Sequence, residues 1–295
     1  MVRGKLRTAR QIEGRMNRAL SSLFARPAAD VQRRDLRKIL DAVADRGAPR
    51  EAEKQRQVVS RLFRWALSRD LVDVDPSAGL ASYGAGAPRD RVLEAAEIKT
   101  LWQWLDELPA DYAEALRVQL AIGARIGEVA GIHAAEVDQE KWLWTLPAAR
   151  SKNNRPRVTP LVGVARKIVA ERLSLFGRGP LFIAEKGKQL SSQSVASMLI
   201  ARRPTCPVAH FTTHDMRRTV ATRMVDLGIG LELVAAVLGH EAGGANVRTL
   251  TRHYIRTDLI DRKRVALEAW NARLIQIVEG GAVMENILPL TARGG

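Results

Sequence analysis

The chain has one cysteine, Cys206, among 295 residues, so it has neither an intrachain disulfide nor a cysteine metal cluster, which suits a reducing cytoplasm. It also lacks any apolar run of about 18 residues, the length a membrane helix needs. The charged start Met1-Val2-Arg3-Gly4-Lys5-Leu6-Arg7 has no apolar segment behind it, so neither a membrane span nor a signal peptide is supported. No internal repeat is visible. Tyrosine is scarce, with three in all, and histidine numbers five. Negative charge is short too: 32 Asp and Glu face 47 Lys and Arg, a net +15. Such an excess points to a polyanion partner, nucleic acid first, with a basic solvated surface as the plain alternative. What the chain does have is 46% hydrophobic content, enough for a buried core in roughly two domains.

Helical periodicity recurs three times near the start. Thr8 to Phe24 sets Ile12, Met16, Leu20 and Leu23 opposite Arg7, Arg10 and Arg18. Asp30 to Val43 sets Leu36, Ile39, Leu40 and Val43 opposite Arg34, Arg37 and Lys38, before Gly47-Ala48-Pro49 breaks the pattern. Pro49 to Arg69 carries Arg50, Lys54, Gln57, Arg61 and Arg64 on one stripe, with Val59, Leu62, Phe63 and Ala66 facing the other way. A solvent-facing stripe explains one such helix; three in succession favour a small bundle laid against DNA phosphates. Pro76 closes this region, and Ser82 to Asp90, rich in Gly and Pro, reads as a linker. Residues 1–90 hold 19 Lys and Arg against 11 Asp and Glu, so the positive charge is shared between both parts and is not confined to a tail.

Beyond the linker, helices are expected at Ala95–Leu108, Tyr112–Ile122, Ile126–Ile132, Val164–Leu175, Ser191–Ile200, from Thr213 to Leu227, and at Leu231–Leu238. Trp142–Leu146 and Arg157–Leu161 read as two strands around the polar turn Ser151-Lys152-Asn153-Asn154-Arg155. The fold class is mainly α with a small β-sheet. His214 and Arg217 lie three apart near the start of a helix whose free amides favour an anion, a pattern that alone is common on protein surfaces.

Specificity comes from a set in fixed order: Arg125 with Glu128, Lys152 on the hairpin, His214-Asp215-Met216-Arg217, Leu238-Gly239-His240, and Tyr254 in Thr251-Arg252-His253-Tyr254-Ile255-Arg256. With this set the sequence resembles the tyrosine recombinases of the phage-integrase family, from about Thr8 to Leu274, and in its downstream text the integrases of prophages and integrative elements. Ala121 to Glu128 looks like the family's first arginine box, and Thr213 to Ala221 like its second. The resemblance implies a helical core-binding domain, residues 1–87 with its linker, and a catalytic domain, residues 88–280, closing as a clamp around double-stranded DNA. Residues 281–295 would form a tail that docks on a neighbour or stays disordered. It implies Tyr254 as nucleophile, forming a 3′-phosphotyrosyl bond and releasing a 5′-hydroxyl; Arg125 and Arg217 stabilising the phosphate; and Lys152 protonating the leaving oxygen. His214 would accept the tyrosine proton or position the phosphate, and His240 would hydrogen-bond it. Glu128 would orient its neighbours. No cofactor is needed, because the phosphotyrosyl bond conserves the energy for rejoining.

By the same resemblance the working assembly is a homotetramer on paired DNA sites, with a DNA-bending or directionality protein as an accessory, in the cytoplasm and on the nucleoid when bound. Integrases of this kind often carry a further N-terminal arm-binding domain, and this chain begins almost directly in the core-binding helices. The stretch between His240 and Tyr254 is longer than in the commonest members because Glu241-Ala242-Gly243-Gly244-Ala245-Asn246 adds a loop, one whose movement would bring Tyr254 in and out of the site. Two rivals share part of this reading: a type IB topoisomerase that relaxes DNA without paired sites, and a non-catalytic sequence-specific DNA-binding protein.

Overall fold

Apolar residues at helical spacing become helices in the computed structural model, which divides into two compact units, Met1–Arg89 and Asp90–Gly295. The structure describes residues 9–84, 90–151, 154–184, 187–239 and 256–280. Lys152, His240, Tyr254, the added loop after His240 and the tail 281–295 lie outside the described residues.

The first unit packs α1 (Ala9–Leu20), α2 (Arg33–Asp45) and α3 (Pro49–Leu67) around Leu20, Leu36, Leu40, Val59 and Phe63. Helix α1 ends earlier than its periodicity suggests, passing into a tight turn at Ser21–Leu23. Helix α2 starts at Arg33 instead of Asp30, because the Asp35 carboxylate accepts from the Gln32 backbone N–H at 3.0 Å and so fixes the N-terminus there. Helix α3 stops at Leu67, where Asp70 turns left-handed at φ 55° and the Leu71 N–H folds back to the Ala66 carbonyl.

Glu53, buried on α3, gathers the end of this unit. It accepts from Arg56 at 2.9 and 2.7 Å, the Gln57 amide at 3.0 Å, and the Ser82 hydroxyl and Tyr83 N–H at 3.1 Å each. The Arg56 hydrogen bond leads the other donors in holding this carboxyl down at about 2, against the opposing effect of burial. The Tyr83 hydroxyl in turn donates to Asp41 at 2.6 Å, which anchors the departing chain to α2.

The second unit comprises α4 (Ala95–Trp104), α5 (Ala110–Ile122), α6 (Ile126–Val129), β1 (Val137–Asp138), β2 (Leu143–Leu146), β3 (Arg157–Pro160), α7 (Gly163–Phe176), α8 (Ser192–Ala201), α9 (Thr213–Asp226), α10 (Leu231–Leu238) and α11 (Arg256–Glu279). Helix α5 runs through its centre, with Leu116, Val118, Leu120, Ala121 and Ile122 all buried. Helix α11 is fixed on it: the Trp270 indole donates to the Leu120 carbonyl at 2.7 Å, and Asn271 Nδ2 to the Ala121 carbonyl at 2.9 Å.

The structure corrects three expectations in this unit. Helix α4 stops at Trp104 and tightens into a turn at Leu105–Glu107, and Pro109 holds Leu108 extended, which ends the helical run there. The helix expected at Ile126–Ile132 is one turn long. Arg150 Nη2 donates to the Glu128 carbonyl at 2.6 Å, the acceptor the next turn would use, and the Ile132 N–H bonds to Val129 instead. The expected hairpin gains a third strand, in antiparallel order β1-β2-β3, with Val137 opposite Trp144, Trp144 opposite Thr159 and Leu146 opposite Arg157.

Candidate active site

Two backbone turns set the site. Gly123 ends α5 in the left-handed conformation at φ 64°, and a Cβ there would stand 2.8 Å from Leu238 and 3.0 Å from Val220. Only glycine lets the chain reverse this close to α9 and α10. Arg125 follows at the N-terminus of α6, and Glu128, three residues on, accepts from both the Arg125 N–H at 3.2 Å and its Nη1 at 3.0 Å. The same carboxylate takes Arg157 Nη2 at 2.6 Å.

Helix α9 starts under a threonine cap: Thr212 Oγ1 accepts from the Asp215 N–H at 3.3 Å, while buried Asp215 takes the Thr212 N–H at 2.8 Å. Gln119 of α5 locks this start to the arginine turn, donating to the carbonyls of Thr213 at 3.0 Å and Ala124 at 3.2 Å. Arg217, one turn into α9, is buried; its Nη1 donates to the Gly123 carbonyl at 2.8 Å and its Nη2 to the Leu238 carbonyl at 2.6 Å. The Leu238 carbonyl also accepts Arg157 Nη1 at 3.1 Å. Thus the C-terminal end of α10, immediately before Gly239-His240, is tied to two arginines.

Of the six catalytic residues expected, Arg125, His214 and Arg217 are described, and the structure brings the two arginines into one cluster. His214 sits exposed in the first turn of α9, on the helix that carries Arg217. Arg157 was read only as part of a strand, yet it joins Glu128 to Leu238. The residues expected to meet DNA, Arg34, Arg37 and Lys38 on α2 and Arg50, Lys54, Gln57, Arg61 and Arg64 on α3, are all exposed. Gln57 on this stripe also donates to buried Glu53 at 3.0 Å.

Two guanidiniums, those of Arg125 and Arg157, thus bond one carboxylate, and a third, that of Arg217, lies close enough for its charge to be felt by them. Burial, followed by the charges of Arg125 and Arg157, pulls Arg217 down to about 10, which still leaves it charged at neutral pH. For Glu128, burial pushes the carboxyl up, but the Arg157 charge and the hydrogen bonds from Arg157 and Arg125 outweigh it, and the net shift is downward. Burial, then the charges of Arg218 and Arg217, lower His214 below the usual imidazole value, which favours its neutral form. The result is a cluster of positive charge suited to an anion, beside an imidazole whose surroundings favour its neutral form. Among the described residues no group of His, Cys, Asp and Glu is placed to hold a metal, and no helix is long and apolar enough to cross a membrane.

Comparison with known proteins agrees across both units. Residues 91–259 match the phage integrase family and residues 3–83 match the phage integrase central domain. The chain is 26% identical over 223 residues to the tyrosine recombinase XerC of Corynebacterium glutamicum, covering 70% of each protein. In fold it is similar to lambda integrase residues 75–356, solved as a dimer bound to a COC′ core site, with a TM-score of 0.69 and 19% identity over 81% of this chain and 90% of that one. It is also similar to a lambda integrase tetramer bound to a Holliday junction, with a TM-score of 0.68 and 18% identity over 83% of this chain and 71% of that one. The chain belongs to the phage integrase family.

Proposed function

We propose that this chain, a site-specific DNA recombinase by its family, cuts and rejoins double-stranded DNA with Tyr254 as nucleophile. The phenol oxygen attacks the scissile phosphorus, the bond to the 5′ oxygen breaks, and a 3′-phosphotyrosyl link forms. His214 takes the phenol proton, a role supported by surroundings that favour its neutral form. Lys152 gives a proton to the departing 5′ oxygen, and His240 hydrogen-bonds the phosphate. Arg125 and Arg217 meet the negative charge that grows on the non-bridging oxygens. Rejoining runs the same steps backwards.

The observation that carries this reading is the arginine cluster, with Arg125 and Arg157 bonded to the single carboxylate of Glu128 and Arg217 held beside them on the Gly123 and Leu238 carbonyls, an excess of positive charge built from three separate elements. The first unit, with its exposed arginines, is the core-type DNA-binding part, and residues 88–280 are the catalytic part. Recombination needs paired sites, so four copies on two duplexes are the working assembly, and the likeness to the lambda integrase tetramer supports it.

The test begins with a pool of nicked duplexes of random sequence, from which the wild-type chain selects cleavage sites by SDS-resistant attachment. A selected nicked duplex loses its short 5′-hydroxyl fragment on cleavage, which traps the protein on DNA. Wild type is expected to form the adduct and Tyr254→Phe to form none. An adduct with Tyr254→Phe, or no selectable site at all, overturns the proposal.

A further inference from the structure

Arg157 is the first residue of β3, and its side chain is only 11% exposed. Its two terminal nitrogens go to different parts of the site: Nη2 to the Glu128 carboxylate at 2.6 Å and Nη1 to the Leu238 carbonyl at 3.1 Å. Each acceptor is shared. Glu128 also holds Arg125, and the Leu238 carbonyl also holds Arg217 at 2.6 Å. Among the described residues Arg157 is therefore the side chain that links the two arginine boxes through common acceptors.

Its surroundings do not favour an arginine for stability alone. Nε is buried and meets no acceptor, and the charges of Arg125 and Arg157 both act on Arg217. A buried donor without a partner costs stability, and like charges add to that cost. The fold also makes room for it. Gly239 is left-handed at φ 68°, and a Cβ there would come within 2.5 Å of Arg157 Nη1.

We infer that Arg157 is a positioning residue for phosphate binding, holding the Glu128 carboxylate and the Leu238 carbonyl in the places that aim Arg125 and Arg217 at the scissile phosphate. This rests on the reading of Arg125 and Arg217 as phosphate-binding groups. Arg157 need not touch DNA to do it. A displacement of about 1 Å in such a group costs on the order of 10²-fold in rate.

The test uses the full chain and the selected duplex in two forms, one with the ordinary scissile phosphodiester and one with an uncharged methylphosphonate there. Arginines that work by neutralising phosphate charge matter much less on the second substrate. Arg217→Ala is the control, expected to lose ~10²–10³-fold in adduct formation on the phosphodiester and far less on the methylphosphonate. Arg157→Ala is expected to lose on the order of 10²-fold on the phosphodiester, with the same relief on the methylphosphonate. Arg157→Lys, which keeps a charge for Glu128 but lacks the second arm to Leu238, falls between. If Arg157→Ala slows both substrates equally, its role is only to hold the fold and the inference is wrong. If Arg157→Ala does not fold, wild-type rates for Arg157→Lys on both substrates overturn it. Equal losses for Arg217→Ala on both substrates overturn the phosphate role of Arg217 itself, and the inference with it.

Discussion

Glu53 in the first unit and Glu128 in the second are both buried carboxylates, with side chains 9% and 6% exposed, and they are used in opposite ways. Glu53 meets one guanidinium, one amide, one hydroxyl and one backbone N–H, all from its own unit. Its charge is balanced within the fold, and its effect is to fasten the chain leaving the bundle. Glu128 meets two guanidiniums and one backbone N–H and lies beside a third guanidinium, that of Arg217. One carboxylate organises more positive charge than it neutralises, and under the proposed function the surplus is what an incoming phosphate meets. A buried carboxylate can therefore close a fold or set up a site, depending on whether the cations around it outnumber it.

The strongest way to break this comparison is to remove each charge in turn. Glu128→Gln leaves Arg125 and Arg157 without a carboxylate; breaking a buried pair this way costs about 3–5 kcal/mol, and DNA cleavage should fall by ~10²-fold or more as the arginines lose their aim. Glu53→Gln should cost roughly 2 kcal/mol, a figure already discounted for solvent at the edge of a small unit, and leave the cleavage rate of the folded, DNA-saturated protein near wild type. Thermal melts and adduct rates at saturating DNA separate the two. A cleavage defect in Glu53→Gln as large as in Glu128→Gln would erase the distinction. The pH dependence has a definite sign. Glu53 falls from 4.5 unfolded to about 2 folded, so its contribution is complete above pH 4.5 and is lost as pH drops toward 2.

The two carboxylates also differ in how visible they are in sequence. Glu128 was legible as a partner of Arg125 because three residues on a helical turn bring the two together. Arg157 was not legible, because it lies 29 residues from Glu128 and 81 from Leu238, and a polar residue at a strand start carries no pattern of its own. The helices of the first unit showed themselves because one face is wet, so apolar residues recur at the helical period. Helix α5 is buried almost all round, where the period fades and only length and the closing Gly123 mark it. Strand β1 is two residues long, too short for alternation, and exists by pairing with β2. The spacing placed Arg217 on one face with His214, but its two carbonyl acceptors were not legible, because they follow from how closely Gly123 and α10 approach α9.

A smaller effect sharpens the contrast from the side of positive charge. Lys263 on α11 is buried against β3, donates to the Val158 carbonyl at 3.3 Å, and is drawn down from 10.5 to about 8 by burial and then by the Arg157 charge. At pH 7 the folded protein must hold that ammonium in an unfavourable place. Between about pH 8 and 10.5 the unfolded chain keeps a proton the folded chain has released, so this residue makes stability rise with pH across that window. Lys263→Met should melt higher than wild type at pH 7, by a few degrees for a gain of about 1–2 kcal/mol, with the gap closing at pH 10. A lower melting point at pH 7 would mean that Lys263 stabilises its surroundings, and that the second unit does not carry internal positive charge at a cost.

The smallest effects are expected where the first unit carries its positive charge outside. Arg61 and Arg64 are exposed on α3, and Arg64 Nε donates to the Ser60 carbonyl of its own helix at 3.2 Å. Neither is held by a buried carboxylate, so Arg61→Ala or Arg64→Ala should leave the melting point within about 0.5 kcal/mol of wild type. If the stripe lies on phosphates, each loss should weaken binding of selected and unselected duplexes by a similar factor, and lower the slope of log affinity against log salt by about 0.9. The slope is the decisive reading, because counterion release counts phosphates neutralised and is indifferent to base sequence. A variant that loses affinity only for the selected duplex, with the slope unchanged, would place that arginine on a base edge. An unchanged affinity would make the stripe a solvated face, and the contrast between outward and inward charge would then rest on the second unit alone.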